Sequence, residues 1–225
     1  MNSYRFIKKI GIPVTEQSKV SFLCQHCGEC CKNRADAPVQ LTGYDVFRLA
    51  KFAKKENPFQ LIQEGVLCLG RAQYSLPYVT VATDTNGACI FLNNAKCSVH
   101  TVKPAVCALY PLGRIFNNSS REYLYVFPRN NACSGSGKSN PVPAEQWLRN
   151  AKITQDEKNH AVSESAYAEI LSALRQIKHR FHEDLFPYII WAFYMNFDPQ
   201  QNYAQQLEEN MAILRPLLEE AKNKR

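Results

Sequence analysis

The chain has 225 residues, 45% of them hydrophobic and 21% charged, which is ordinary for a globular protein and enough for one large core or two small ones. Nine cysteines, an odd number with no apolar leader of secretory length before them, exclude a fully paired disulfide framework and point to a reducing, cytoplasmic compartment. The net charge of +7 is uneven, with 17 Lys and Arg against 8 Asp and Glu in residues 1–143 and 10 against 12 in residues 144–225.

The first forty residues hold the densest cysteine group and little periodicity. Thr42 reads as a helix N-cap with Asp45 at the third helical position, and Val46, Leu49, Ala50 and Ala53 predict a helix over about 43–55. A short turn is expected after Pro58. The run SLPYVTVAT, ending at Thr83, is rich in strand formers. Cys89 to Cys97 reads as a tight hairpin turning at Asn93-Asn94, since asparagine tolerates positive φ. YLYVF, from Tyr123 to Phe127, is a further strand.

The tail carries no cysteine and reads as helices. Thr154 with Glu157 forms a capping-box pattern. Ala161, Ala168, Leu171, Leu174, Ile177 and Phe181 then supply the apolar face of one long helix. Pro187 is expected in the first turn of the next helix, and Pro199 opens a last one through Tyr203, Leu207, Met211, Leu214 and Leu218, with Pro216 inside it. The longest apolar run, Phe186 to Phe197, is interrupted by Asn196 and falls short of the roughly twenty residues that span a bilayer. A buried helix is expected there, and no membrane span.

The cysteines fall into two groups. The first is Cys24-x2-Cys27-x2-Cys30-Cys31, a spacing that lets successive thiolates turn back onto one centre, as in zinc and iron–sulfur sites alike. The second is Cys89-x7-Cys97-x9-Cys107, followed by Cys133 ahead of a Ser-Gly-Ser-Gly loop. The hairpin would bring Cys89 and Cys97 together across its base. Cys68, in GVLCLG, has apolar neighbours and reads as a core thiol. His26 and His100 read as non-ligands, and Arg34, Arg71, Arg114 and Arg129 as ordinary basic residues able to screen thiolate charge. Asp45 is explained by the helix start. Four thiolates on a [4Fe–4S]2+ core leave about −2 and two tetrathiolate zinc sites about −4, so much of the basic excess is expected to neutralise the site, and nucleic-acid binding is not expected.

The run CQHCGECC, then LTGYDVFRLA, then CIFLNNAKCSVHTVKPAVCALYPLG resembles the YkgJ-type cysteine-cluster family, whose members are described as zinc- or iron-chelating and often labelled iron–sulfur. The match is carried by Cys24, Cys27, Cys30, Cys31, Thr42, Asp45, Cys89, Cys97, His100, Pro104, Cys107, Tyr110 and Pro111. The resemblance implies a chelating domain over roughly residues 20–135 and supplies no defined reaction. Flagellin lysine methylases are similar in their cysteine motif, which adds a methylation-related role as an alternative.

The expected architecture is α+β. An irregular, cysteine-rich, metal-stapled core of residues 1–143 with a small antiparallel sheet packs against a C-terminal helical layer of residues 144–225. Cys24, Cys27, Cys30, Cys31, Cys89, Cys97, Cys107 and Cys133 are the candidate metal ligands. The ferredoxin-like run and the family labelling favour an iron–sulfur cluster over Zn2+, with electron transfer or redox sensing and an unidentified protein or redox partner. The alternatives are a zinc-stapled interaction protein and a cluster-dependent modification enzyme. No phosphate-binding GxxxxGK[ST], dinucleotide GxGxxG or HExxH motif is present.

Overall fold

The computed structural model describes residues 11–25, 27–32, 34–36, 38–71, 76–117, 120, 122–128, 135–150 and 156–224. Among these the architecture is α+β, with seven α-helices and small antiparallel sheets. Two compact units interleave along the chain: Met1–Lys32 with Phe91–Ala161, here the cysteine unit, and Asn33–Ile90 with Val162–Arg225, here the helical unit.

In the cysteine unit, the YLYVF run forms the centre of a three-stranded sheet. Glu122–Pro128 pairs with Gly11–Pro13 on one side and Gly113–Asn117 on the other. Lys19–Val20 pairs separately with Val142–Pro143. Helix Ala144–Asn150 buries Ala144 and Leu148, four residues apart and so on one face. These two join Val20, Leu109 and Leu112 in a core edged by Phe22, Ala108, Tyr125, Phe127 and Trp147. Tyr125 donates its hydroxyl to Glu157 Oε1 at 3.2 Å. Burial and that neighbouring carboxylate hold the phenol above its usual range.

In the helical unit, Pro77–Val81 is the central strand between Gln40–Leu41 and Leu67–Arg71. The capping box expected at Thr42 is present: the Asp45 N–H donates to Thr42 Oγ1, and the Thr42 N–H donates to Asp45 Oδ2, both at 3.1 Å. Helix Gly43–Phe52 stops three residues before the expected end, where Lys54 enters the left-handed region at φ +53°. The turn expected after Pro58 is the short helix Phe59–Gln63. The structure corrects the reading of Cys68: on this edge strand Leu67 is buried, while Cys68 and Leu69 are both exposed.

The long tail helix is shorter than its sequence pattern. Glu157–Leu174 ends seven residues before Phe181, because the buried His182 ring closes its C-terminus. His182 Nε2 lies 3.0 Å from both Leu174 O and Ile177 O, and only a protonated Nε2 can donate to them. The buried face is His160, Ser163, Ala166, Ile170, Ala173 and the expected Leu174, whereas the expected Ala161, Ala168 and Leu171 are half-buried. Thr154 lies outside the described residues.

Helix His182–Ile190 carries Pro187 in its interior, not its first turn, and continues as one π turn, Trp191–Met195. The turn and its exit are tied to the last helix by Asn210, whose Nδ2 donates to Ala192 O at 3.1 Å and Asn196 O at 2.8 Å. That last helix, Tyr203–Asn223, starts from Asn202, whose side chain accepts from the Gln205 N–H, four residues later than Pro199 would place it. Its predicted apolar positions Tyr203, Leu207, Met211, Leu214 and Leu218 are all buried. Among the described residues no helix is long and apolar enough to cross a membrane.

Helix Gly43–Phe52 packs on the Trp191–Met195 turn; Tyr203 meets the rings of Tyr44 and Phe47 at a tilt and stacks on Phe197, which Phe47 meets edge-on. A Cβ on Gly43 would lie 2.6 Å from Phe193 O and 2.9 Å from Tyr203 Oη. Alanine ordinarily stabilises a helix over glycine by up to about 1 kcal/mol. Here overpacking prevails, and Gly43→Ala is expected to destabilise the protein by roughly 1–3 kcal/mol. Urea unfolding followed by circular dichroism checks this: a midpoint equal to or above wild type contradicts the packing account.

Candidate metal centre

The segment that enters the first cysteine group is fixed by the segment after Cys133. The Leu23 N–H donates to Gly135 O at 3.0 Å, the Gly137 N–H to Ser21 O at 2.9 Å, and Ser21 Oγ to Ser139 O at 2.6 Å. A Cβ on Gly135 would meet Leu23 O at 2.4 Å, so only glycine permits this approach. Phe22 then packs on the apolar core and sets its ring edge-on to Tyr110, 5.5 Å between centroids.

Tyr110 directly follows the helix Ala105–Leu109 that carries Cys107. Pro104 starts that helix, with Pro104 O accepting from the N–H groups of Cys107 and Ala108, both at 2.9 Å. Ala108 and Leu109 belong to the core that also holds Val20 and Phe22. One apolar cluster therefore anchors the entry to Cys24 and the helix of Cys107.

The turn between Cys27 and Cys31 depends on Gly28, at φ +73°. From it a 3-10 turn runs over Glu29–Cys31, closed by the Cys31 N–H on Gly28 O at 2.8 Å. The hairpin facing it pairs Leu92 with Cys97 and Asn93 with Lys96. Asn94 and Ala95 both have positive φ, 47° and 62°, as a two-residue mirror-image turn requires. The turn is thus one residue later than Asn93-Asn94, and Leu92 stands opposite Cys97. Cys89 instead bridges to Thr83, beside a loop in which Asp84 Oδ1 accepts from the N–H groups of Asn86 and Ala88. A Cβ on Gly28 would lie 3.0 Å from Leu92 Cδ1 and 3.5 Å from Ala95 Cα, so the cysteine turn is seated directly on the hairpin.

Beside this seating Cys30 lies next to Cys31 and close enough to Cys97 to act on it electrostatically. Cys30 Sγ and Cys31 Sγ are 3.9 Å apart. Burial pushes the Cys97 thiol up, and the nearby Cys30 thiol pushes the same way. The Val99 N–H donating to the Cys97 sulfur and the Lys103 ammonium both oppose that shift. Lys32, ion-paired with Glu29 at 2.6 Å, also senses Cys27. Cys24 and Cys30 are exposed; Cys27, Cys31, Cys97 and Cys107 are half-buried. Cys89 is buried in the helical unit, and Cys133 and His26 lie outside the described residues.

His100 is exposed at the start of the 3-10 turn His100–Val102. Arg114 covers the Tyr123 ring at 4.3 Å, and the Arg34 N–H donates to Gly87 O. The Arg71 side chain and Arg129 lie outside the described residues. Sequence reasoning passed over Lys103 and the Val99 N–H, though a backbone N–H two residues past a cysteine is well placed to reach its sulfur.

These residues fit a thiolate-held metal. The donors are soft sulfurs, and one of them accepts a backbone N–H of the kind that orients and stabilises metal-bound thiolates. Among the described residues no three His, Cys, Asp or Glu side chains yet converge at ligand distances. A Cys30–Cys31 disulfide is a poor alternative, because adjacent Cα atoms are about 3.8 Å apart and disulfides usually need at least about 4.4 Å. None of the eight described cysteines is in a disulfide.

Residues 23–134 match the family model CxxCxxCC, described as a "putative zinc- or iron-chelating domain". No curated protein and no solved structure matches the chain.

The seating of Gly28 gives a direct test. Gly28→Ala forces a left-handed backbone on an L residue, at about 1–2 kcal/mol, and presses on Leu92. The variant is expected to release its metal to a chelator at about five- to thirty-fold lower concentration than wild type, the same energy read as an equilibrium constant. Metal analysis after chelator titration checks this, and equal retention contradicts it.

Proposed function

We propose, from the premise that this chain belongs through residues 23–134 to the CxxCxxCC family of zinc- or iron-chelating domains, that it carries a redox-active iron–sulfur group for electron transfer or redox sensing. The observation that supports this most is the seating of the C-x2-C-x2-C-C turn on the hairpin of Cys97. Cys27, Cys30, Cys31 and Cys97 form the nucleus of the ligand set. Cys24 and Cys107 flank it in the same unit, and Cys89 and Cys133 complete the candidates. The C-x2-C-x2-C run, shared with ferredoxins, favours iron–sulfur. When bound, such a group supplies one-electron transfer.

The chain's own contribution is to hold and tune the thiols. The Val99 N–H and Lys103 favour the charged sulfur of Cys97, and half-burial limits water around it. Eight cysteines outside any disulfide support a reducing, cytoplasmic setting.

A second reading, a single structural zinc, is favoured by one distance. Two thiolates on one tetrahedral zinc, each about 2.3 Å from it, stand about 3.8 Å apart. Cys30 and Cys31 are at 3.9 Å. Under that reading the function lies in a binding surface.

Metal and acid-labile sulfide content of anaerobically purified protein separates the two. The iron–sulfur reading expects iron, sulfide and a broad visible band that bleaches with dithionite. Stoichiometric zinc, no sulfide and a colourless sample overturn it in favour of the second. Protein that binds neither metal overturns both.

A further inference from the structure

The basic excess of the chain is concentrated in the cysteine unit. It holds 14 Lys and Arg against 6 Asp and Glu, a balance of +8, while the helical unit holds 13 against 14, a balance of −1. A tetrathiolate site contributes about −2. Neutralising the metal centre therefore absorbs only a minor part of this charge.

Some of the excess lies beside the thiols. Lys96 is exposed next to Cys97 on the hairpin, and Lys103 is half-exposed and electrostatically coupled to Cys97. Among the described residues no carboxylate pairs with either, whereas Lys32 is already offset by Glu29. Apolar surface accompanies them: Leu23, one residue before Cys24, and Val106, one before Cys107, are each 54% exposed. The Phe22–Tyr110 ring contact joins the segments that carry these two side chains.

We propose that this face of the cysteine unit docks an acidic protein. Leu23 and Val106 make the apolar contact, and Lys96 and Lys103 meet the partner's carboxylates beside the metal. This rests on the functional reading above and names the partner chemistry of the same site. A protein suits the face better than a nucleic acid. Single strands bind on exposed aromatic platforms, and among the described residues the exposed large aromatics Phe52, Phe59, Tyr188 and Trp191 all belong to the helical unit. Charge pairs at the rim steer association, and the apolar centre excludes water.

The test uses the full-length, metal-loaded protein and poly-L-glutamate as the probe, followed residue by residue by 1H–15N NMR at low salt. A single-stranded oligonucleotide is titrated in parallel. Amide shifts are expected at Leu23, Lys96, Lys103 and Val106, and K96E/K103E is expected to bind the probe about tenfold more weakly. The neutral pair K96Q/K103Q, with a smaller loss, guards against a folding effect of the charge reversal. Shifts centred elsewhere, equal binding by both double variants, or tighter binding of the oligonucleotide on this face each overturn the proposal. Metal analysis of the same sample keeps the two readings apart. Absent metal overturns the functional reading and this inference together, and metal present without the mapped shifts overturns this inference alone.

Discussion

Gly28 lies against Leu92 and Ala95, a Cβ on it would press on Leu92 Cδ1 at 3.0 Å, and its backbone is in the left-handed region that an L residue enters only at a cost. This contact sets the C-x2-C-x2-C-C turn on the hairpin of Cys97. Neither element would hold its place alone: one is a single 3-10 turn, the other a pair of two-residue strands. The core behind them supplies the rigidity. Val20 and Phe22 lead into the turn, Ala108 and Leu109 carry the helix of Cys107, and all four belong to one apolar cluster.

Bringing thiols together on such a frame has an electrostatic cost. Burial opposes ionisation of Cys97 most, and the neighbouring Cys30 thiol adds a smaller push the same way. The Val99 N–H and Lys103 offset part of this, and a bound cation offsets the rest, since it needs the deprotonated sulfur. Among the described residues no three potential ligands converge at ligand distances, so under the proposed reading a metal would have to draw the thiols together as it binds. The helical unit is ordered by different means. Its capping box, its stacked aromatic rings and the Asn210 contacts to the π turn involve none of the candidate ligands in the cysteine unit.

What the sequence made legible was local and chemical. Thr42 and Asp45 announce their capping box because the residue types and spacing are those the first turn needs. The last helix shows its buried face because all five positions are apolar. The hairpin was placed one residue early because Asn93 and Asn94 are equally suited to positive φ, and Ala95 takes that conformation against its preference. The face of the Glu157–Leu174 helix is legible only at its end, where Leu174 is buried as expected, because His160 and Ser163 sit on the buried side, where apolar periodicity gives no signal. Cys68 has the apolar neighbours of a core thiol, yet it lies on an edge strand where it and Leu69 are exposed. At the site, the spacing of the first cysteine group was plain. Its seating on the hairpin was not, because that contact joins residues more than sixty positions apart through a glycine's missing side chain.

The central claim is that the turn and the hairpin deliver sulfur to one metal centre. X-ray absorption at the edge of the bound metal, on wild type and Cys97→Ser prepared alike, tests it most directly. The account predicts a first shell of sulfur at about 2.3 Å in wild type and fewer sulfur neighbours around the metal in Cys97→Ser. A sulfur shell identical in the two proteins would contradict it, since the hairpin would then contribute no ligand.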